Sequence, residues 1–449
     1  MTENKNTIVV GLGFGDEGKG TVTQHIATAQ NVNAVVKFSG GAQTAHNVVL
    51  KNGLEHTFAQ FGSGTLNGIQ TLITEYTMVN PFSMAAEANV LWNKTGVDPF
   101  VKTFISENSL LTTPIHVAAN RKRETLRGKN AHGSCAAGIG ETMGYAINHP
   151  VLALRVGDLR IPGFLETKLN ELLRILEAEL GKLDVVSIPD IIGGYEMVMD
   201  DRPFNIVSND YIYNELRKGN NVFEGSQGIL LDESKGFHPH TTWTSVVSRN
   251  AQRVLEAAKL PRGKVVGVTR SYATRHGYGP FPSEYTDEDW RISFPEKHNV
   301  RGTWQGSWRG GILDLVLLNY AVRANGGIDE VALTHLDVPY EEVIDSYDDD
   351  TIIIPVSEEE DLVYQESITN RLLGKLKVNT TRVRNEEELI EYVEFATNAP
   401  VSIKSYGPMD TDKVNSLLEL PFAPGGRAWD FVTEDSKLLK IDAKEPSQL

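Results

Sequence analysis

Short, mostly apolar runs recur along this chain, each emptying into a stretch of small and polar residues. They fall at residues 7–10, 34–38, 71–73, 221–223, 264–268, 331–333 and 400–404. Short runs that stay apolar, without polar alternation, predict strands buried on both faces. Helical patterns lie between them. Residues 164–180 place Leu165, Leu169, Leu172, Leu176 and Leu180 on one face, with Gly181 at the expected stop. Residues 21–29, 82–92 and 312–324 read as further helices, and 121–127 as a basic, solvated helical face. The alternation predicts an α/β fold with a large, mostly parallel central β-sheet flanked by helices. Acidic residues at 348–350 and 358–361 flank the apolar 351–356 and read as the solvated face of an edge hairpin, not a metal site. No internal repeat, low-complexity segment or linker interrupts residues 1–449, so a single domain is expected. The tail from residue 433 is charged and weakly patterned.

Composition narrows the function. Net charge is −16, and no basic cluster suits a polyphosphate backbone or an anionic membrane. The expectation is an enzyme of small molecules with no nucleic acid or membrane partner. The single cysteine, Cys135, excludes an intramolecular disulfide framework and any cysteine-rich metal site. The polar N-terminus lacks the apolar core of a signal peptide, and no apolar run approaches the ~20 residues that span a bilayer, so a cytoplasmic location is expected.

The most informative loop is residues 11–20, GLGFGDEGKG, between the first strand and a helix start. Backbone N–H groups and the helix dipole converge at such a junction and favour an anion. Gly13, Gly18 and Lys19 have P-loop spacing, but Gly20 stands where Ser or Thr belongs and Thr21 comes one place late. Asp16 lies inside the loop. A carboxylate beside bound phosphates is repelled unless it holds a metal or abstracts a proton, so the loop does more than grip phosphate. The loop after the second strand carries His46, a candidate general acid. Residues 133–142 are small enough for backbone amides to approach a second anion, or equally to form a packing turn. Trp304 and Trp308, in a loop spanning 301–311, either stack on a ligand or pack on the body. Asp337 follows a strand, where a carboxylate can accept the N1 and 2-amino protons of guanine that adenine cannot offer.

Together these loops resemble the adenylosuccinate synthetase family, whose members couple aspartate to IMP at the expense of GTP. The resemblance rests on GDEGKG at 15–20, GG…AH at 40–46, GIG at 138–140, RVGDL at 155–159, EG.QG.LLD at 224–232, TR.G.GPFP at 274–282, T.LD at 334–337 and S.GP at 405–408. It implies that Asp16 is base and Mg²⁺ ligand, that Ala45 supplies a carbonyl to the metal, and that His46 stabilises the phosphorylated oxygen. Lys19 would act with Gly18 and Gly20 on the transferring phosphoryl group. GTP would also meet Asn47, Arg309, His335, Asp337, Ser405 and Gly407. The nucleotide acceptor would meet Gln43, Ser134, Cys135 and Gln227, with Thr242 at its 5′-phosphate. The amino acid would meet Thr303, Ser307 and Arg309. A homodimer is implied as well.

The departures concern the acceptors. The family's HNAGHT reads AQTAHN, so its phosphate-contacting Asn becomes Gln43. TTGRG becomes SCAAG, losing the arginine near Ala137, and an arginine lent by a partner subunit falls at Val151. TTGRRRR becomes TWQGSWR, of whose arginines only the last survives, as Arg309; TKLD becomes THLD, with His335 for lysine. An Arg–phosphate or Arg–carboxylate fork contributes about 2–3 kcal/mol, so losing several weakens IMP and aspartate by orders of magnitude. A divergent GTP- and Mg²⁺-dependent C–N ligase is therefore expected, with IMP and L-aspartate as default substrates. The alternatives are the same chemistry on another oxo acceptor or amine, and a non-catalytic GTP-binding homologue. Relatives of the phage type that act on dGMP replace the catalytic aspartate, which Asp16 retains here.

Overall fold

The computed structural model describes residues 5–128, 132–286, 290–294, 304–348, 354–356, 361–374 and 376–415. Its strands are β1 (Asn6–Gly11), β2 (Ala34–Lys37), β3 (His46–Val49), β4 (Glu55–Phe58), β5 (Gln70–Ile73), β6 (Thr103–Ser106), β7 (Asn205–Val207), β8 (Asn221–Gly228), β9 (Lys264–Arg270), β10 (Ala273–His276), β11 (Trp308–Gly311), β12 (Leu313–Asp314), β13 (Glu330–Thr334), β14 (Glu342–Tyr347), β15 (Val378–Arg382), β16 (Val401–Ser405) and β17 (Lys413–Asn415). Ten form one sheet in the order β17-β16-β13-β9-β1-β8-β2-β5-β6-β7. Every pairing in it is parallel except β16 with β17. Ile8, Val9 and Val10 of β1 are all inaccessible, as expected of a strand covered on both faces. The helices α1 (Lys19–Ala29), α2 (Pro81–Thr95), α3 (Pro114–Arg127), α4 (Ile139–Asn148) and α5 (Pro162–Leu180) follow in the first half of the chain.

The expected helix at 164–180 starts two residues earlier, at Pro162, whose missing N–H costs nothing in a first turn. Its five leucines are buried and Gly181 is the C-cap. The basic stretch 121–127 is the last half of α3, and the second part of the 133–142 loop is the start of α4. Two expected loops are strands: 273–276 and 308–311 pair as the antiparallel hairpin β10–β11. The helix expected at 312–324 begins only at Leu315, because Leu313 and Asp314 join β14 in a second sheet, β12-β14-β15. Residues 301–303, 349–353 and 357–360 and the tail from 416 lie outside the described residues, and with them Thr303 and most of the acidic edge hairpin. No helix among the described residues is long and apolar enough to cross a membrane.

Asp314 caps the helix Leu315–Ala324, accepting the Val316 and Leu317 N–H groups at 3.0 Å and the Tyr347 hydroxyl at 2.6 Å. Burial outweighs these bonds and pushes its carboxyl up to about 6. A raised folded-state value means that the ionised group costs stability above that pH and that the cost fades as pH falls towards the ordinary 3.8. Asp314→Asn keeps the cap without the charge. It is expected to stabilise the protein by roughly 1–3 kcal/mol near pH 8 and by much less near pH 4. Thermal denaturation at both pH values checks this; equal gains would remove the electrostatic explanation.

Candidate functional site

Parallel strands deliver their C-terminal loops to one edge of the sheet, and β1 lies between β8 and β9 at the middle of it. The glycine turn after β1 is held by its own side chain. Glu17, 3% exposed, turns back so that Oε1 accepts the Gly13 and Gly15 N–H groups at 3.0 and 2.8 Å, while Oε2 meets Lys19 Nζ at 2.5 Å. Gly11 leaves room for that carboxylate, since a Cβ there would come within 2.3 Å of Oε2. Gly18 adopts φ 93° at the N-cap of α1. Gly20 has a steric reason to replace the P-loop hydroxyl residue: a Cβ would lie 2.6 Å from the Cβ of His46. The turn and the His46 strand are thus in contact. Thr21 Oγ1 donates to the Pro408 carbonyl at 2.6 Å, and Thr334 Oγ1 to the Glu17 carbonyl at 2.7 Å, which ties in the loops after β16 and β13.

Asp16 has φ 61°, a conformation that costs a non-glycine residue about 1 kcal/mol. Arg270 Nε donates to its carbonyl at 2.5 Å, and its Oδ2 lies 3.2 Å from His276 Nε2. Burial alone would raise the Asp16 carboxyl. The His276 hydrogen bond and charge, with Arg270 and Lys19, outweigh burial and hold it below the ordinary carboxylate range. The Asp16 side chain remains one quarter exposed.

His46 opens β3 with Nδ1 2.6 Å from Glu224 Oε1 and Nε2 3.2 Å from the Ser226 carbonyl. A proton on either nitrogen therefore has an acceptor. Glu224 is inaccessible and also receives Lys37 Nζ at 3.4 Å, the Ser63 N–H at 3.2 Å and the Ser63 hydroxyl. Burial opposes its ionisation, but Lys37, His46 and Ser63 hold its pKa at about 2. Burial pulls the His46 imidazole down, with Glu224 acting against it and Lys37 and Lys19 with it. The Lys19 charge bears on both Asp16 and His46.

Four of the expected base-side residues meet at one end of the sheet. Leu336 N donates to the Ser405 carbonyl at 3.0 Å, which puts Asp337 and His335 against the 405–408 turn. Ser405 Oγ donates to the Gly407 carbonyl at 3.1 Å. His335 is held at φ 60°, and burial, Arg270 and Lys413 keep its imidazole well below the ordinary value. Asp337 is exposed. Asn47 is spent locally, on Glu55 and Thr57.

Of the residues expected at the nucleotide acceptor, both amide atoms of Gln43, like the hydroxyl of the adjacent Thr44, are buried with no hydrogen-bond partner among the described residues. Gln227 Oε1 accepts the Ser226 hydroxyl at 2.6 Å, and Ser134 Oγ donates to Asn120 Oδ1 at 3.0 Å. Thr242 N donates to the Leu231 carbonyl at 2.8 Å. Cys135, Ala45 and Val151 are exposed.

The amine side is less open than expected. Arg309 makes a two-point pair with Glu284, at 2.8 and 2.5 Å, and donates to the Gly277 and Gly279 carbonyls at 2.9 and 3.0 Å. The Ser307 carbonyl accepts the Gly277 N–H at 2.9 Å. Trp308 packs on the body, 6% exposed and 5.0 Å from the Trp290 ring, and does not offer a stacking face. Glu17, Glu224 and His276 hold the site together, yet none stood out as a site residue in the sequence. Glu17 and Glu224 lie inside quoted motifs, and a buried-pair requirement on Lys19 and Lys37 was the one signal that could have found them.

A family model described as adenylosuccinate synthetase matches residues 8–414. An adenylosuccinate synthetase of Chlorobium chlorochromatii is 30% identical over 429 residues, 90% of this chain and 95% of that protein. One from Marinomonas sp. is 33% identical over 341 residues, 74% of this chain and 77% of that protein. Among solved structures, a fully ligated adenylosuccinate synthetase from Plasmodium falciparum superposes with a TM-score of 0.76 at 20% identity, covering 91% of this chain and 99% of that one. A cyanophage S-2L succinoaminodeoxyadenylate synthetase bound to dGMP and dATP gives 0.59 at 16% identity, covering 92% and 95%. At these identities the two structures speak to the fold.

Proposed function

This chain belongs to the adenylosuccinate synthetase family and is a C–N ligase of that type; on that premise we propose that it uses GTP to phosphorylate an oxo group and then couples an amine at the same carbon. Asp16 takes the proton from the ring nitrogen beside the oxo group. The oxygen so enriched attacks the γ-phosphorus, and GDP leaves with the bridging electron pair. The amine then attacks the carbon, and inorganic phosphate leaves with the C–O electrons as the amine gives up a proton. IMP and L-aspartate are the default acceptor and amine. His46, braced by Glu224 at Nδ1, would turn its Nε2 proton from the Ser226 carbonyl to the oxygen that carries the new phosphoryl group, and Lys19, beside its Glu17 partner, would offset charge on it.

The observation that carries this reading is the Asp16 carboxylate, kept ionised on a glycine turn and backed by Lys19, Arg270 and His276. A carboxylate on a phosphate-binding turn is repelled by its ligand unless it takes a proton or holds a metal. Asp16 and the carbonyl of the exposed Ala45 would hold Mg²⁺, an ion served by one or two carboxylates plus carbonyl oxygens and substrate phosphates. When bound, the ion would offset charge on the transferring phosphoryl group. A single domain, a homodimer and a cytoplasmic location belong to the same proposal.

The test is to incubate the protein with GTP, Mg²⁺, IMP and L-aspartate, follow GDP and phosphate, and identify the adduct by mass spectrometry. Other oxo acceptors and amines are then screened in the same assay. Absence of single-turnover phosphate release with every acceptor would leave only a GTP-binding homologue. The base reader is tested separately. Asp337→Ala removes the acceptor for two guanine N–H groups, so the GTP-over-ATP preference should fall by roughly tenfold or more. Unchanged preference in competition assays would place guanine recognition elsewhere.

A further inference from the structure

The basic stretch 121–127, which the sequence presents as a solvated face, divides in two in the fold. Arg123 is bound to Glu141 and Glu179, and Arg127 to Glu124. Arg121 and Lys122 make no ion pair among the described residues. They line a cleft of about 520 Å³ between the start of α2, one face of α3 and residues 182–186, which follow α5. Lys182 lines it too and is likewise without an ion pair among the described residues. The cleft is separate from the glycine turn and its neighbours. None of residues 11–20, 40–47, 224–232, 274–284, 334–337 or 405–408 lines it. Asn120 and Glu124, which accept N–H groups from the 132–138 loop, lie on another face of α3.

The lining combines an apolar surface with uncompensated charge. Phe82, Val117, Ala118 and Val185 are half-buried in it. The Phe82 ring is fixed from behind by Tyr195, with centroids 4.7 Å apart and planes 18° apart. Arg121 and Lys182 are exposed and Lys122 is half-buried, so their charged ends reach water while their stems cover the walls. A concave apolar surface with a few charges around it, at this volume, is the make-up of a small-molecule site. Three cations face a single carboxylate, Asp184, which leaves an excess of two positive charges. The chain as a whole carries −16, so its general field repels anions and only a local excess of this kind draws one in. Two positive charges match a phosphate monoester dianion, and the apolar surface matches a flat body attached to it. An uncharged compound would leave the cations unused, and inorganic phosphate would leave the apolar surface wet.

We propose that this cleft is a second binding site, apart from the glycine turn, for an organic phosphate monoester with a flat apolar body. Such a site stands whether or not the ligase reading above does. The test is calorimetric titration of the full chain, saturated beforehand with a non-hydrolysable GTP analogue, with naphthyl phosphate, naphthol and inorganic phosphate in turn. Naphthyl phosphate is expected to bind at least about tenfold tighter than either of its fragments. Arg121→Gln combined with Lys182→Gln cancels the charge excess, so affinity for naphthyl phosphate should fall about tenfold or more while affinity for the GTP analogue stays level. Naphthyl phosphate that does not bind, or that binds the double variant as tightly as the wild type, overturns the proposal. Naphthol or inorganic phosphate binding as tightly as the ester overturns it too, because one half of the lining would then be idle. Both substituted residues are exposed, and the comparison of the three compounds on the wild type stands without the variant.

Discussion

Asp16→Asn is expected to lower turnover by at least about 10³-fold while GTP still binds, because it removes a base and a charged oxygen yet keeps the shape of the side chain. Asparagine is the cleaner variant for a backbone reason. Residue 16 sits at φ 61°, which Asn tolerates and Ala does not, so Asp16→Ala would add roughly 1 kcal/mol of local strain to the lost chemistry. Both variants should abolish product formation, but Asp16→Asn alone isolates the carboxylate. Steady-state GDP release with the preferred acceptor, beside an independent measurement of GTP binding, decides it. Wild-type rates in Asp16→Asn would refute the role of the base. Loss of GTP binding in Asp16→Asn would instead make the turn a mere phosphate grip.

Seven of the ten strands of the large sheet were legible, because a strand buried on both faces writes itself as an apolar run, as Ile8–Val10 does; β6, β7 and β17 were not. The hairpin β10–β11 was not. Its residues Thr274, Arg275 and Arg309 are polar and its partners are 32 or more positions apart, so no local period marks it. The same holds for the site. Asp16, Lys19 and His46 stood out as residue types odd for their loops. Glu17, Glu224 and His276 did not, because a residue that satisfies a neighbour far along the chain carries no signature of its own. The His276–Asp16 contact spans 260 positions by residue number and depends on β9 lying beside β1. Arg309 makes the same point in reverse. The family resemblance implied that it faces substrate, yet Glu284 and two carbonyls already hold it.

Glu224→Ala is expected to destabilise the fold by about 3–5 kcal/mol, since it leaves a buried lysine without a counter-charge. Lys37 is 1% exposed, and Glu224 is its paired carboxylate. The prediction has a control that separates stability from catalysis. Adding Lys37→Met to Glu224→Ala removes the stranded charge and should recover much of the lost stability, because a well-packed apolar pair can replace a buried ion pair. Turnover should not recover with it, because His46 has still lost the acceptor that orients its Nδ1 at 2.6 Å. The pH dependence has a definite sign. A carboxyl lowered from 4.5 to about 2 contributes stability that is fully present above the unfolded value and is lost as pH falls through that window. Acid unfolding of the wild type should therefore steepen between those values, and the double variant should lack that component. Denaturant melts across this range, read beside turnover at neutral pH, distinguish the two roles. If the double variant regained both stability and rate, Glu224 would be a counter-ion to Lys37 and nothing more.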